Sequence, residues 1–120
     1  MHGENIKART FDLAGRVLKM SKALPGNYNM QILSHQVVRS STSVGANYHA
    51  ACRSKSRKDF INKMKTVEEE LDETIYWLRL IQDSDSFKKD RIQPLIDECN
   101  QLLAVIVQSI LTARKNGKEG

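Results

Sequence analysis

Apolar residues return at steps of three and four in four separate stretches of this chain, and polar or helix-breaking residues divide them. From about Ile6 to Leu24, Phe11, Ala14, Val17, Leu18, Ser21 and Leu24 share one helical face, and Pro25-Gly26 ends the pattern. From about Met30 to Arg53 the stripe is Leu33, Val37, Ser40, Val44, Asn47 and Ala51. The third stretch opens with Ser56-Arg57-Lys58-Asp59, where the serine hydroxyl and the aspartate carboxylate suit the free amides of a helix start. It continues with Phe60, Met64, Val67, Leu71, Ile75, Leu78 and Ile81 before the polar run Gln82 to Ser86 interrupts it. The fourth runs from around Asp90 or Pro94 to about Arg114, and Pro94 suits a first helical turn, which makes residues 87–93 a short separate turn. The predicted helices are therefore about 6–24, 30–53, 57–81 and 90–114. No stretch alternates with period two, and short connections favour antiparallel neighbours. The expected fold is all-α, an antiparallel up-down-up-down four-helix bundle forming a single domain over residues 1–120.

The segment RSSTSVGANYHAACRSKSRKDF, Arg39 to Phe60, is the one place where a loop competes with this reading. Its serines and glycine suit a phosphate-holding loop, but its apolar positions keep helical period as far as Ala51, which such a loop has no reason to do. Gly45 then sits inside a helix at a cost of roughly 1 kcal/mol relative to alanine. A close approach by a neighbouring helix would offset that cost.

Composition narrows the functional classes. A chain of 120 residues that is 40% hydrophobic can bury a core without staples. Its two cysteines, Cys52 and Cys99, have no metal-binding or redox spacing, which favours a reduced, cytoplasmic setting without a zinc site. No run of 18 apolar residues is present, MHGENIKART lacks the apolar segment of a signal peptide, and NGKEG at residues 116–120 reads as a frayed tail. Catalytic chemistry finds little support. In the run Glu68-Glu69-Glu70-Leu71-Asp72-Glu73, Glu69 and Glu73 lie one turn apart, but no Glu-x-x-His pair of the di-metal bundle type accompanies them, and a solvated or salt-bridged face accounts for the run. His2, His35 and His49 join no readable triad or ligand set. The cysteines read as packing groups, Asn47 as a buried amide fixing register, and Arg39 as a partner for the acids of the third helix rather than for another molecule. The expectation is a protein that is not an enzyme and has no cofactor or metal.

The chain resembles the bacterial four-helix-bundle family encoded in intervening sequences of large-subunit ribosomal RNA genes. The resemblance is carried by Leu33, by Gln36-Val37-Val38-Arg39-Ser40, by Ser43-Val44-Gly45-Ala46-Asn47-Tyr48, by Ala51-Cys52-Arg53-Ser54-Lys55-Ser56 with Asp59-Phe60, and by Glu69-Glu70-Leu71-Asp72-Glu73 with Tyr76-Trp77-Leu78. It departs at His49-Ala50-Ala51, where the family pattern has an acidic-glycine pair. The resemblance implies a homopentamer without a catalytic centre and with a nucleic-acid role. It also implies kinship with the accessory variability protein of diversity-generating retroelements, which works with a reverse transcriptase and its template RNA.

Charge gives the functional expectation its location. Lysines and arginines number 19 against 14 acids, and the predicted topology gathers Lys7, Arg9, Arg53, Lys55, Arg57, Lys58, Arg114, Lys115 and Lys118 at one end, against Glu4, Asp59 and Glu119. That end carries a surplus of six positive charges and leaves the remainder at −1. Arg53 and Arg114 suit helix C-termini, whereas Arg57 and Lys58 stand at a helix N-terminus, where cations are disfavoured unless an anion is bound. Arg53, Lys55, Arg57, Lys58, Arg114 and Lys115 are thus the predicted contacts for an RNA or DNA backbone, with an acidic protein partner as the alternative. Apolar positions in LLAVIVQSIL, Leu102 to Leu111, span an arc of roughly 260° at 100° per residue, wider than one bundle face uses. The end of the third helix has the same surplus, so Trp77, Leu80, Val105, Val107 and Leu111 are the predicted subunit contacts of a homo-oligomer.

Overall fold

The computed structural model describes residues 2–119 of the chain, with side chains described from residue 5 to residue 117. Four helices follow one another: α1 (His2–Ala23), α2 (Tyr28–Cys52), α3 (Arg57–Asp83) and α4 (Lys89–Glu119). They pack α1 on α2, α2 on α3, α3 on α4 and, most thinly, α1 on α4, so the four form a closed bundle 53 Å long and 22 by 20 Å across. The all-α antiparallel bundle expected from periodicity is the fold.

Local chemistry sets the boundaries. Asn27, in extended backbone, accepts a hydrogen bond from the Met30 amide at 2.9 Å, which starts α2 two residues before the apolar stripe begins. Ser56 accepts from the Asp59 amide at 3.0 Å and opens α3 where the sequence places it. Asp85 takes a left-handed backbone, φ 56°, a conformation that aspartate tolerates better than most residues, and this turns the chain from α3 into α4.

Two expectations are corrected here. No separate turn covers residues 87–93, because α4 already begins at Lys89 and Pro94 lies inside it. Ile92, Leu95, Ile96 and Cys99 are all buried at helical spacing, and their burial outweighs the one backbone hydrogen bond that proline removes. The buried face of α1 also matches the one read from sequence only in part, at Val17 and, partly, Leu24. Ile6, Thr10, Leu13, Val17 and Met20 line the core, while Phe11 is 77% exposed and Leu18 is exposed as well. Both stripes of α1 are apolar, and only one can face inward.

The choice is made at Gly45. A Cβ at that position would lie 3.3 Å from Thr10 Oγ1, so the missing side chain lets α1 and α2 approach closely there, as the cost of a mid-helix glycine predicts. Approach at Thr10 turns the stripe that contains Thr10 toward the core and Phe11 away from it. Ser40, Ser41 and Tyr48 are buried beside Gly45, and Ser40 accepts a 2.8 Å hydrogen bond from the Thr74 hydroxyl across the α2·α3 seam. Asn47 is half-buried and donates to Ser43 within its own helix, so it does not fix register across helices. By length and composition α4 could cross a membrane, and within the bundle it buries one face, Ile92, Leu102, Ile106 and Ile110, against the other helices.

Candidate nucleic-acid interface

The start of α3 and the end of α4 meet at one end of the bundle. There Arg57, Lys58 and Arg114 surround an open cleft of about 450 Å³ whose lining also includes Ile61, Asn62 and Gly117. Gly117 makes this meeting close: a Cβ on it would come within 3.1 Å of Arg57 Cδ, so its absence lets the arginine stem lie against α4. Arg53 caps the end of α2, its amide donating to the carbonyls of Ala50 and Ala51, and the short link Arg53–Ser56 holds Lys55 close by in sequence. Arg53, Lys55, Arg57, Lys58, Arg114 and Lys115 are all exposed, and none pairs with a carboxylate among the described residues.

The nearest described acid is already engaged. Asp59 accepts from Lys63 at 2.7 Å, and this ammonium holds the Asp59 carboxyl below the usual carboxylate range. Its negative charge therefore compensates Lys63 and the α3 N-terminus more than it does Arg57 and Lys58. Arg9 does not belong to the free cluster. Its guanidinium forks onto Glu98 of α4 at 2.8 and 3.0 Å and also reaches Gln101, which ties α1 to α4 along their thinnest seam. Lys7 is half-buried. The side chains of Glu4, Lys118 and Glu119, counted in the charge of this end, lie outside the described residues, as does that of His2.

The remaining sequence candidates separate cleanly. Arg39 pairs with Glu70 and Glu73 of α3, and Glu73 also accepts from the Trp77 indole at 3.3 Å, so part of the acidic run is consumed inside the bundle. Glu69 and Asp72 point outward. Among the described residues, no three His, Cys, Asp or Glu side chains converge as a metal would need. His35 and His49 are exposed. Cys99 is buried, and burial pushes its thiol up to about 12, whereas Cys52 is exposed. Of the predicted subunit contacts, Leu80 and Leu111 are exposed while Trp77, Val105 and Val107 are half-buried, and Trp77 stacks edge-on against Tyr76 with ring centroids 5.1 Å apart. Sequence reasoning missed the exposed Phe11 and Leu18, which line a groove between α1 and α2. The available signal was the coincidence of two apolar stripes on α1 with a run of small residues on α2.

The family model of the 23S rRNA-intervening sequence proteins matches residues 4–108. The chain belongs to this family. The intervening-sequence bundle is also similar to a solved structure described as a protein with unknown function from the S23 ribosomal protein family of Bacteroides thetaiotaomicron, with 28% sequence identity and a TM-score of 0.84. That match covers 92% of this chain and 98% of the other, so the whole bundle is shared. No curated protein matches the chain. Neither description names an enzyme, and the family's link is to ribosomal RNA.

Proposed function

We propose that this intervening-sequence bundle is a non-enzymatic protein that holds RNA or DNA by its phosphate backbone at the basic end. The observation that carries this reading is the meeting of Arg57, Lys58 and Arg114 around one open cleft, with no acid among the described residues to neutralise them. Placing two cations on the first turn of α3 works against the helix dipole, and a bound phosphate removes that conflict. No aromatic side chain lines the cleft, so the expected readout is charge and shape rather than base stacking. The setting is cytoplasmic, where ribosomal RNA is found. A homo-oligomer, with the pentamer implied by the family resemblance, would present several such ends to one strand and add avidity to weak single contacts. A reverse transcriptase with its template RNA is the partner that the retroelement resemblance implies, and copurification with such an enzyme is its separate test.

The decisive experiment is a binding titration with unrelated RNA and DNA sequences at low and moderate salt. Affinity should be nearly the same for all sequences and fall steeply as salt rises, because each neutralised phosphate releases condensed counterions. Reversing Arg57 and Lys58 together to glutamate should weaken every complex and reduce the salt slope by about one for each lost phosphate contact. The fold should survive, since acids are favourable on a first helical turn. Equal binding by the folded double variant, or no binding by the parent at low salt, would favour a protein scaffold that presents its basic end to an acidic protein.

A further inference from the structure

Among the described residues, exposed apolar side chains besides Leu111 gather on two surfaces, and these lie on opposite sides. One is the groove between α1 and α2, about 520 Å³, lined by Phe11, Ala14, Leu18 and Ala46 with Gly15 and Gly45 at its base. It continues past Leu18 and Leu24 to His35, and the exposed Ile32 and Tyr28 extend it to the far end of α2. The other is a ridge on α3 near the start of α4, where Tyr76 is 58% exposed and Leu80 stands one turn further on. Because the helices pack in the cyclic order α1, α2, α3, α4, the outer face of α1 and α2 is turned away from the outer face of α3 and α4.

Their charges are complementary. Helix α2 contains no acidic residue, and the exposed charges of α1 from Phe11 onward are Lys19, Lys22 and Asp12, the last paired with Arg16 at 3.7 Å. The α3 ridge lies on a stripe of exposed residues at helical spacing, Glu69, Asp72, Tyr76, Leu80 and Asp83; the cations beside it are Arg79 and Lys89, and Lys89 is paired with Asp85 at 3.4 Å. We infer that the groove of one copy receives the Tyr76–Leu80 ridge of a second copy, head to tail, with the acidic stripe lying over Lys19 and Lys22. This deepens the assembly expected under the proposed function, gives it a residue-level contact, and relocates the receiving surface from α4 to the α1·α2 groove. Pairing like faces would set acidic stripe on acidic stripe or leave one apolar surface bare, whereas groove on ridge covers both and repeats from copy to copy, giving a ring where the rotation closes. Contacts along the sides of the bundle also leave the basic end of each copy uncovered.

The test uses two single substitutions and their mixture. Phe11→Glu places an acid in the groove facing the acidic stripe, and Tyr76→Lys places a cation on the ridge facing Lys19 and Lys22. Both positions are largely exposed, so the helical circular dichroism and melting curve of each variant should match the parent. By sedimentation at tens of micromolar, the parent should have the mass of three or more chains of 13.7 kDa, and each variant alone should be a monomer. Mixed one to one, the two variants should associate, because the Phe11→Glu chain keeps an intact ridge and the Tyr76→Lys chain keeps an intact groove. A parent that sediments as one or two chains would overturn the inference, and so would a Tyr76→Lys protein of parental mass or a mixture that stays monomeric. If Phe11→Glu misfolds, Leu18→Glu takes its place under the same criteria. Nucleic-acid binding of the monomeric variants, measured separately, decides the basic-end reading whatever the assembly result.

Discussion

The two halves of the bundle meet the same packing requirement with different side chains. Between α3 and α4 the contact is made by large aliphatic residues: Leu71, Leu78 and Ile81 on one helix and Ile92, Leu102 and Ile106 on the other are all completely buried. Helices α1 and α2 also bury Leu13, Val17, Val37 and Val44 completely, but their closest approach is made by small residues, with Thr10 against Gly45 and with Ser40 and Ser41 buried nearby. Large residues fill a wide seam and draw most of the apolar surface inside. Small residues bring two backbones together and leave no room for bulk, so Phe11 and Leu18 are displaced to the outside. The α1·α2 half thereby gives up some burial within the chain and gains an apolar surface that another molecule can cover. The α3·α4 half should therefore suffer most from truncation of its side chains, and the α1·α2 half from their enlargement.

Truncating the large-residue seam should produce the largest effect. Leu71→Ala removes a fully buried side chain that closely packed neighbours cannot replace, and comparable changes cost about 2–5 kcal/mol. For a domain of this size that corresponds to a fall in Tm of roughly 10 °C or more. A loss below about 1 kcal/mol by urea denaturation would show that the α3·α4 seam can close around the cavity, and the proposed division between the halves would fail.

On the small-residue seam the damaging change is enlargement. Gly45→Leu should cost about 1–3 kcal/mol through overpacking against Thr10, whose hydroxyl is held at 3.0 Å by the Lys7 carbonyl. Gly45→Ala sharpens the comparison, because the helix gains roughly 1 kcal/mol in propensity while the new methyl meets Thr10 Oγ1 at 3.3 Å. These effects oppose each other and should leave Tm within a few degrees of the parent. A Gly45→Leu protein that melts with the parent would mean that α1 is held elsewhere. A single hydrogen bond across the extensive α2·α3 seam should matter less than either: Thr74→Val leaves the buried Ser40 hydroxyl without its 2.8 Å partner and should cost about 1–2 kcal/mol, measured by the same denaturation.

These differences explain which parts of the molecule could be read from sequence. Helix α3 was legible because it carries one dominant apolar stripe, and that stripe, Met64, Val67, Leu71, Leu78 and Ile81, is the buried one. Helix α1 carries two stripes of comparable apolarity, and the choice between them is made by a glycine 35 positions away, which periodicity within α1 cannot register. The same locality explains Pro94, where the rule for proline gave way to four buried neighbours. At the basic end the chain order alone brings Arg57, Lys58 and Arg114 together, so the core of the candidate site was visible. The removal of Arg9 was not, because its acceptor Glu98 lies on another helix at a level that up-and-down topology does not specify. Asn47 was misread because a polar residue on a buried stripe has two ways to be satisfied, and the bond within its own helix to Ser43 is the shorter reach.

The smallest expected effect concerns the charges that bridge α2 and α3. Arg39 contacts both Glu70 and Glu73, which looks like a strong clamp between the halves, but Arg39 and Glu73 are each about two-fifths exposed and water competes for both. Exposed pairs of this kind contribute roughly 0–1 kcal/mol, and salt weakens them further. Glu70 is the more buried of the two acids, and burial raises its pKa while Arg39 opposes that rise, so removing the arginine should raise it further. Arg39→Ala should therefore lower stability by less than about 1 kcal/mol at neutral pH and low salt, and the difference from the parent should shrink at high salt. It should also shrink as pH falls through the titration of Glu70. The reason is that a carboxyl whose folded pKa has been raised favours the folded state when protonated, and the protonated form has no need of the arginine. Denaturation of parent and variant at pH 7 and pH 4, each at two salt concentrations, tests this. A penalty above about 2 kcal/mol that persists at high salt would show that the Arg39 stem and its two acids hold the halves together as a packed unit, and the division of labour drawn from side-chain size would need charge as a third element.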